Sequence, residues 1–264
     1  MKKALIIFLT LIFTSLFLIN CEDNGVEPLS AKSIKNYKWS TEYVENPNEI
    51  HFQNLMRQIW GKSSDDLYIC GHADAGPDLY NYDGEKWEPI ELFDQGISFS
   101  EYLDIEGISS YNFWIAGGRG YSTHDGRKIQ TKLVQNLNAS WIEHSFDYES
   151  VLYDVWESES GDIWACGHDG LVLHYDGIEW FADTIKIDKG EDTDFGIGGI
   201  REYQGEMYAL GGTIYPYHWS HFYKLKNGEW KLLDEFMYTF GEGITFGTNT
   251  LFLSGSGSDL SPKS

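Results

Sequence analysis

The sequence predicts an all-β chain folded as a β-propeller of four-stranded blades, about five in number, and three observations carry that prediction. Fourteen-residue windows recur without gaps: IWGKSSDDLYICGH (59–72), IEGISSYNFWIAGG (105–118), VWESESGDIWACGH (155–168), GIREYQGEMYALGG (199–212) and GITFGTNTLFLSGS (243–256). One column of these windows is always aromatic (Tyr68, Trp114, Trp164, Tyr208, Phe252) and another is always glycine (Gly71, Gly117, Gly167, Gly211, Gly255), at steps of 46, 50, 44 and 44 residues. Each of the first four windows is followed by a further apolar run, a turn signal and a tryptophan. A period of about 40–50 residues made of short strands indicates propeller blades, because one such unit cannot bury its own face and must stack on its neighbours.

In chain order, the first segment reads as an export leader. Lys2 and Lys3 precede sixteen residues, 4–19, that hold no charge. A basic start, an apolar stretch and a processing site are the layout of a secretory signal. The run is shorter than the roughly 18–20 residues of a spanning helix, and an uncleaved anchor helix is the alternative reading. Leu18-Ile19-Asn20-Cys21 resembles the lipobox of bacterial lipoproteins, with Asn20 standing where that family usually has Gly, Ala or Ser. The resemblance implies cleavage before Cys21 and a lipid on its sulfur. Each buried CH₂ contributes about 0.8 kcal/mol, so two or three acyl chains hold a soluble domain to a membrane. Residues 1–20 are therefore expected to be the leader, 21–36 a lipid-anchored polar tether, and 37–264 the repeat domain.

Within each window a first strand meets a polar turn and is followed by an aromatic, β-branched second strand. Three repeats then show a third strand and a turn: Asp83-Gly84 before Trp87, Asp176-Gly177 before Trp180, and Asn227-Gly228 before Trp230. Asp-Gly and Asn-Gly favour two-residue type I′ hairpins, where both central residues take positive φ. The second repeat departs from the scheme, with fourteen residues between Gly126 and Trp141. Trp39 precedes Gly71 by 32 residues, close to the 25 to 31 that separate the other closing tryptophans from the next glycine. It predicts an N-terminal strand that completes the last blade and hides two strand edges.

The charge balance excludes some partners. The formal net charge is −22, and loss of Lys2 and Lys3 with the leader makes it −24. Nucleic-acid binding needs Lys and Arg against phosphates, so no nucleic-acid partner is expected. Cys70 and Cys166 share a column two blades apart, too far for disulfide geometry, and read as buried free thiols. The pair W-G-x-S-x-D-D-L-Y-x-x-G and Y-D-G-x-x-W, at Trp60–Gly71 and Tyr82–Trp87, resembles bacterial Kelch-like and sensor-type propeller repeats. That resemblance implies the fold and leaves the function open, since propellers host binding, scaffolding and catalysis alike.

A four-stranded meander puts its second turn and its link to the next blade at one end, and its first and third turns at the other. The segments 72–78, 92–104, 183–198, 213–221 and 234–242 all fall at the first of these ends, where long loops mark a binding face. There Tyr215, Tyr217 and Trp219 offer aromatic planes for a glycan or protein partner; rings packed beneath the loop are the bland alternative. The acidic stretch from Asp188 to Asp194 misses the EF-hand pattern and reads as a solvated loop, and His72 and His168, in one column, read as structural. No cofactor, metal or catalytic residue is expected. The primary reading is a non-enzymatic, envelope-anchored binding or scaffolding module. The rival is an envelope glycan-active enzyme using acidic residues near the central channel.

Overall fold

A computed structural model describes residues 54–73, 77–98, 101–123, 126–158, 160–187, 194–215, 219–237, 240–246 and 251–256, together with Thr41 and Val44. The chain divides into two units, Met1–Val44 and Glu45–Ser264, and every sheet among the described residues belongs to the second. The leader, Cys21, the tether and Trp39 lie outside the described residues.

The second unit is a succession of antiparallel meanders. The first blade is β1 (Asn54–Ser63), β2 (Asp66–Ala73), β3 (Leu79–Tyr82) and β4 (Trp87–Pro89); the second is β5 (Glu101–Ser109), β6 (Asn112–Thr123), β7 (Gly126–Leu137) and β8 (Ser140–Phe146). The third is β9 (Leu152–Glu157), β10 (Ile163–Gly167), β11 (Leu171–Tyr175) and β12 (Trp180–Thr184). The fourth is β13 (Asp194–Tyr203), β14 (Glu206–Tyr215), β15 (Trp219–Lys226) and β16 (Glu229–Met237). The fifth repeat contributes two strands among the described residues, β17 (Phe240–Phe246) and β18 (Leu251–Ser256).

These sheets are blades because of where their apolar residues go. The core is divided into four clusters, each filling the seam between two successive sheets. Ile105, Val155, Ile200 and Ile244 occupy one column of the first strands and are at most 5% exposed. Burying such a side chain contributes about 1.5–3 kcal/mol, so the seams rather than the sheets alone hold the fold. The first strands of neighbouring blades also touch directly, β1 on β5, β5 on β9, β9 on β13 and β13 on β17. Ile59, the same column in the first blade, is 57% exposed. The strand expected from Trp39 to complete the last blade lies outside the described residues.

The two invariant columns have separate causes. A Cβ on Gly71 or Gly167 would stand 2.0 Å from the carbonyl oxygen of Leu55 on the first strand or of Val151 just before it. Both glycines sit at bulges where the backbones approach too closely for any side chain. The aromatic column fills the seams: Trp180 meets Trp114 edge-on at 5.9 Å across blades, and Trp230 meets Trp164 at 6.3 Å. Cys70 and Cys166 are free and buried.

Two turn expectations are corrected. Only Asn227-Gly228 is the expected two-residue hairpin, with φ of 54° and 75°. At Asp83-Gly84 and Asp176-Gly177 the loop spans four residues and only the glycine has positive φ. The aspartate uses its side chain instead, Asp83 Oδ1 accepting from the Glu85 and Lys86 N–H groups and Asp176 Oδ1 from those of Ile178 and Glu179, all at 2.8–2.9 Å. The preceding tyrosine donates its hydroxyl to the glycine carbonyl (Tyr82 to Gly84, Tyr175 to Gly177) and packs on the tryptophan at 5.1 Å. Thus Y-D-G-x-x-W is a local turn lock. In the second repeat, Gly126 opens β7, the third strand, so the Asp125-Gly126 pair falls before that strand and not after it. The third turn is Asn138-Ala139, with φ of 52° and 61°.

Candidate functional site

Antiparallel order puts the N-terminal ends of β1, β5, β9 and β13 at the same end as the second turns and the links between blades. At the opposite end, five turns are two residues long, at 64–65, 110–111, 138–139, 204–205 and 227–228. The loop end carries the two longest links, 90–100 and 185–193. Several expected loops turn out to be strand. Residues 213–215, 219–221, 234–237 and 240–242 extend β14 to β17, leaving short connections.

The first long link is anchored by a buried charge. Leu92 and Ile97 are buried on either side of a 3₁₀ turn (Phe93–Gln95), whose Phe93 is 80% exposed. Lys132 on β7, with its side chain 3% exposed, donates to Ser98 Oγ at 2.7 Å and pairs with Glu143 on β8. Glu143 also accepts from the Ser98 N–H at 2.8 Å. Burial opposes the Glu143 carboxylate, but Lys132 and Ser98 outweigh it and hold it below the usual range. The ammonium spends its donors on Ser98 and Glu143, which pins the link.

The second link ends in a junction of blades three and four. Asp169 donates its N–H to the Phe195 carbonyl at 2.8 Å. The His168 ring stands between two carboxylates, Nε2 at 2.9 Å from Asp194 Oδ1 and Nδ1 at 3.2 Å from Asp169 Oδ2, with Tyr153 edge-on at 6.4 Å. Burial, then Asp194 and Asp169, push the Tyr153 phenol up to about 12. Asp194 pairs through its backbone with Tyr215. The structure therefore brings Asp194 and Tyr215, 21 residues apart in the chain, to one junction.

Of the expected contact residues, Trp219 is half-buried at the base of its loop and donates its N–H to Oγ1 of buried Thr213 at 3.1 Å. Tyr215 is the last residue of β14; its side chain, all of Tyr217, and the stretch 188–193 lie outside the described residues. Among the described residues, no group of three or more His, Cys, Asp or Glu could hold a metal ion.

Toward the axis, two acidic residues that the rival reading would use are committed to the fold. Asp104 Oδ2 accepts from the Val155 N–H of the next blade at 3.0 Å, and its Oδ1 accepts from Gln58 of the previous blade at 2.8 Å. Asp154 repeats the device one blade on, its Oδ2 accepting from the Ile200 N–H at 2.8 Å and from Arg201. Complete burial pushes the Asp154 carboxyl up to about 8. Arg201 pulls it down, and the adjacent Asp104 carboxylate, hydrogen-bonded to it, raises it again. Both aspartates stand immediately before a repeat window, and that shared position is their one signal in the sequence.

No family model matches the chain. No curated protein matches it either. Among solved structures it is similar to YCF48 bound to D1 peptide, at 11% identity and a TM-score of 0.42, over 76% of this chain and 74% of that one. It is also similar to YCF48 from Cyanidioschyzon merolae, at 13% identity and a TM-score of 0.31, over 82% of this chain and 96% of that one. At these TM-scores the assignment rests on the chain's own sheets and seams, which define a β-propeller.

Proposed function

We propose that the chain is a non-enzymatic binding or scaffolding module, held at the cell envelope by lipid on Cys21, that contacts a protein or a glycan through the loop end of its propeller. Tyr215, Tyr217 and Trp219 are the proposed contact residues. The observation that carries the reading is the asymmetry between the two ends. One end is closed by short turns locked by their own side chains, whereas the other carries both long links and the junction at Asp194 and Tyr215. Binding segments concentrate on variable connections presented by a rigid scaffold. The rival enzymatic reading loses two of its channel carboxylates, because Asp104 and Asp154 hold backbone N–H groups across blade seams.

Affinity capture from envelope extract, with the parent and a Tyr215→Ala, Tyr217→Ala, Trp219→Ala variant side by side, tests the proposal. A partner retained by the parent and lost by the variant is expected. Turnover of a chromogenic glycoside, abolished by one Asp or Glu substitution, would overturn it in favour of the enzyme.

A further inference from the structure

The first long link holds a phenylalanine out of the core. Leu92 and Ile97 are 2% and 4% exposed, whereas Phe93 between them is 80% exposed, the most exposed aromatic side chain among the described residues. The backbone fixes its position. The Leu92 carbonyl accepts from the Gln95 and Ile97 N–H groups at 3.0 and 3.1 Å, and the Phe93 carbonyl accepts from Gly96, whose φ is 83°, at 3.0 Å. Upstream the Ile90 N–H donates to the Leu79 carbonyl at 2.9 Å, and downstream Ser98 is tied to Glu143. A single exposed apolar residue is ordinary on a protein surface. A ring anchored on both sides is different, because a partner meets it with little ordering left to be done.

The surroundings of the ring carry one sign of charge. The link 90–98 holds Glu91 and Asp94, both exposed, and no Lys, Arg or His. Among the described residues neither carboxylate takes part in an ion pair. The cation beneath the link, Lys132, is committed to Ser98 and Glu143, so it does not neutralise them. Asp78 and Glu101 add to the same field. Burial first pushes the Asp78 carboxyl up to about 6; the Glu91 and Glu101 carboxylates push it the same way, while the Ala73 N–H and His72 oppose them. An arginine guanidinium suits this setting, since its plane stacks on an aromatic face while its N–H groups reach carboxylates.

We propose that the Phe93 turn is a docking site for an arginine-bearing segment of a partner protein, with the guanidinium stacked on the Phe93 ring and paired with Glu91 or Asp94. Charge complementarity selects the occupant, because the two carboxylates flank the ring in the chain and stand ready for a cation. The same carboxylates disfavour an anionic lipid surface. The inference deepens the reading of the loop end as a binding face and rests on it.

The test is fluorescence anisotropy of the full chain, at about 150 mM salt to screen long-range attraction, with a labelled twelve-residue peptide alternating Arg with Gly and Ser. Two further peptides carry Lys or Glu in place of Arg. Three variants accompany the parent: Phe93→Ala; Glu91→Gln with Asp94→Asn; and, at the opposite end, Glu85→Gln with Glu179→Gln. The arginine peptide should bind at least about tenfold tighter than the glutamate peptide, about 1.4 kcal/mol, and measurably tighter than the lysine peptide. Phe93→Ala should erase the preference for Arg over Lys, and the Glu91, Asp94 variant should weaken the arginine peptide severalfold. The Glu85, Glu179 variant, which removes the same charge away from the ring, should change neither. No binding of the arginine peptide, or equal binding of Arg and Lys, overturns the proposal. Equal losses in the two charge variants overturn it too, because the acidic body as a whole would then be the attractor. Capture of the parent by phosphatidylcholine vesicles, lost in Phe93→Ala while the peptide fails to bind, would make the occupant a membrane. The peptide comparisons on the parent stand even if a variant fails to fold. They do not involve Tyr215, Tyr217 or Trp219, so this proposal and the envelope-capture result can fail separately.

Discussion

Replacing Asp154 separates two roles that a buried carboxyl can play. Its Oδ2 accepts from the Ile200 N–H and from Arg201, joining blade three to blade four. Its pKa is pushed up to about 8, by burial first, with Asp104 adding to the shift. A proton held there near neutral pH makes the side chain an acceptor on one oxygen and a donor on the other, which is the pattern of an asparagine amide. Asp154→Asn should therefore cost less than about 1 kcal/mol, within the range of a well-tolerated polar swap. Asp154→Ala strands a buried N–H, at about 1–3 kcal/mol, and removes the partner of a buried guanidinium, so a total near 3–5 kcal/mol is expected. At roughly 2–4 °C per kcal/mol for a chain of this size, the alanine variant should melt about 10 °C lower. Denaturant unfolding followed by tryptophan fluorescence measures both. Equal losses for Asn and Ala would refute the reasoning, because they would mean that the negative charge, not the hydrogen-bonding shape, is what the seam requires.

Three further outcomes follow from the same structure. Gly167→Ala should be among the most damaging single changes, above about 3 kcal/mol, because its Cβ would meet the Val151 carbonyl oxygen at 2.0 Å; a stable variant in a urea melt would remove close approach as the cause of the glycine column. Burial pushes Glu157 up to about 7 and Asp78 up to about 6. Groups raised above their unfolded values bind more protons in the native state, so the stability these two contribute is fully present below about pH 4 and is lost as pH rises through about 6 to 7. Glu157→Gln should flatten that slope, and a parent whose melting temperature rises from pH 5 to 8 would contradict the sign. Asp83→Ala should lower the melting temperature, because two backbone N–H groups lose the Oδ1 that accepts from them, and no change would show that the turn needs only Gly84.

Much of the fold was legible because it rests on local chemistry repeated five times. The glycine column, the turn dipeptides and the closing tryptophans each mark a backbone or packing constraint that falls at a fixed place in a blade. What was not legible depended on distance along the chain. Val155 and Ile200 donate through main-chain N–H groups, which carry no sequence signature, so Asp104 and Asp154 looked like two acids among 41. Ser98, Lys132 and Glu143 meet across 45 residues with no motif to announce them. The Asp125-Gly126 dipeptide misled for a physical reason. It favours a tight turn at either hairpin of a blade, and only the pairing of β6 with β7 shows which. The loop end itself followed from topology, while its loops proved shorter because β14 to β17 continue into them.

The central claim is that one end of the propeller binds and the other does not. Hydrogen exchange of the chain with and without its captured partner tests this most directly. Slowed exchange is expected in 90–98, 119–130, 185–187 and 213–219, with no change in the turns at 83–86, 176–179 and 227–228. Protection confined to those turns, with the loop end unaltered, would contradict it.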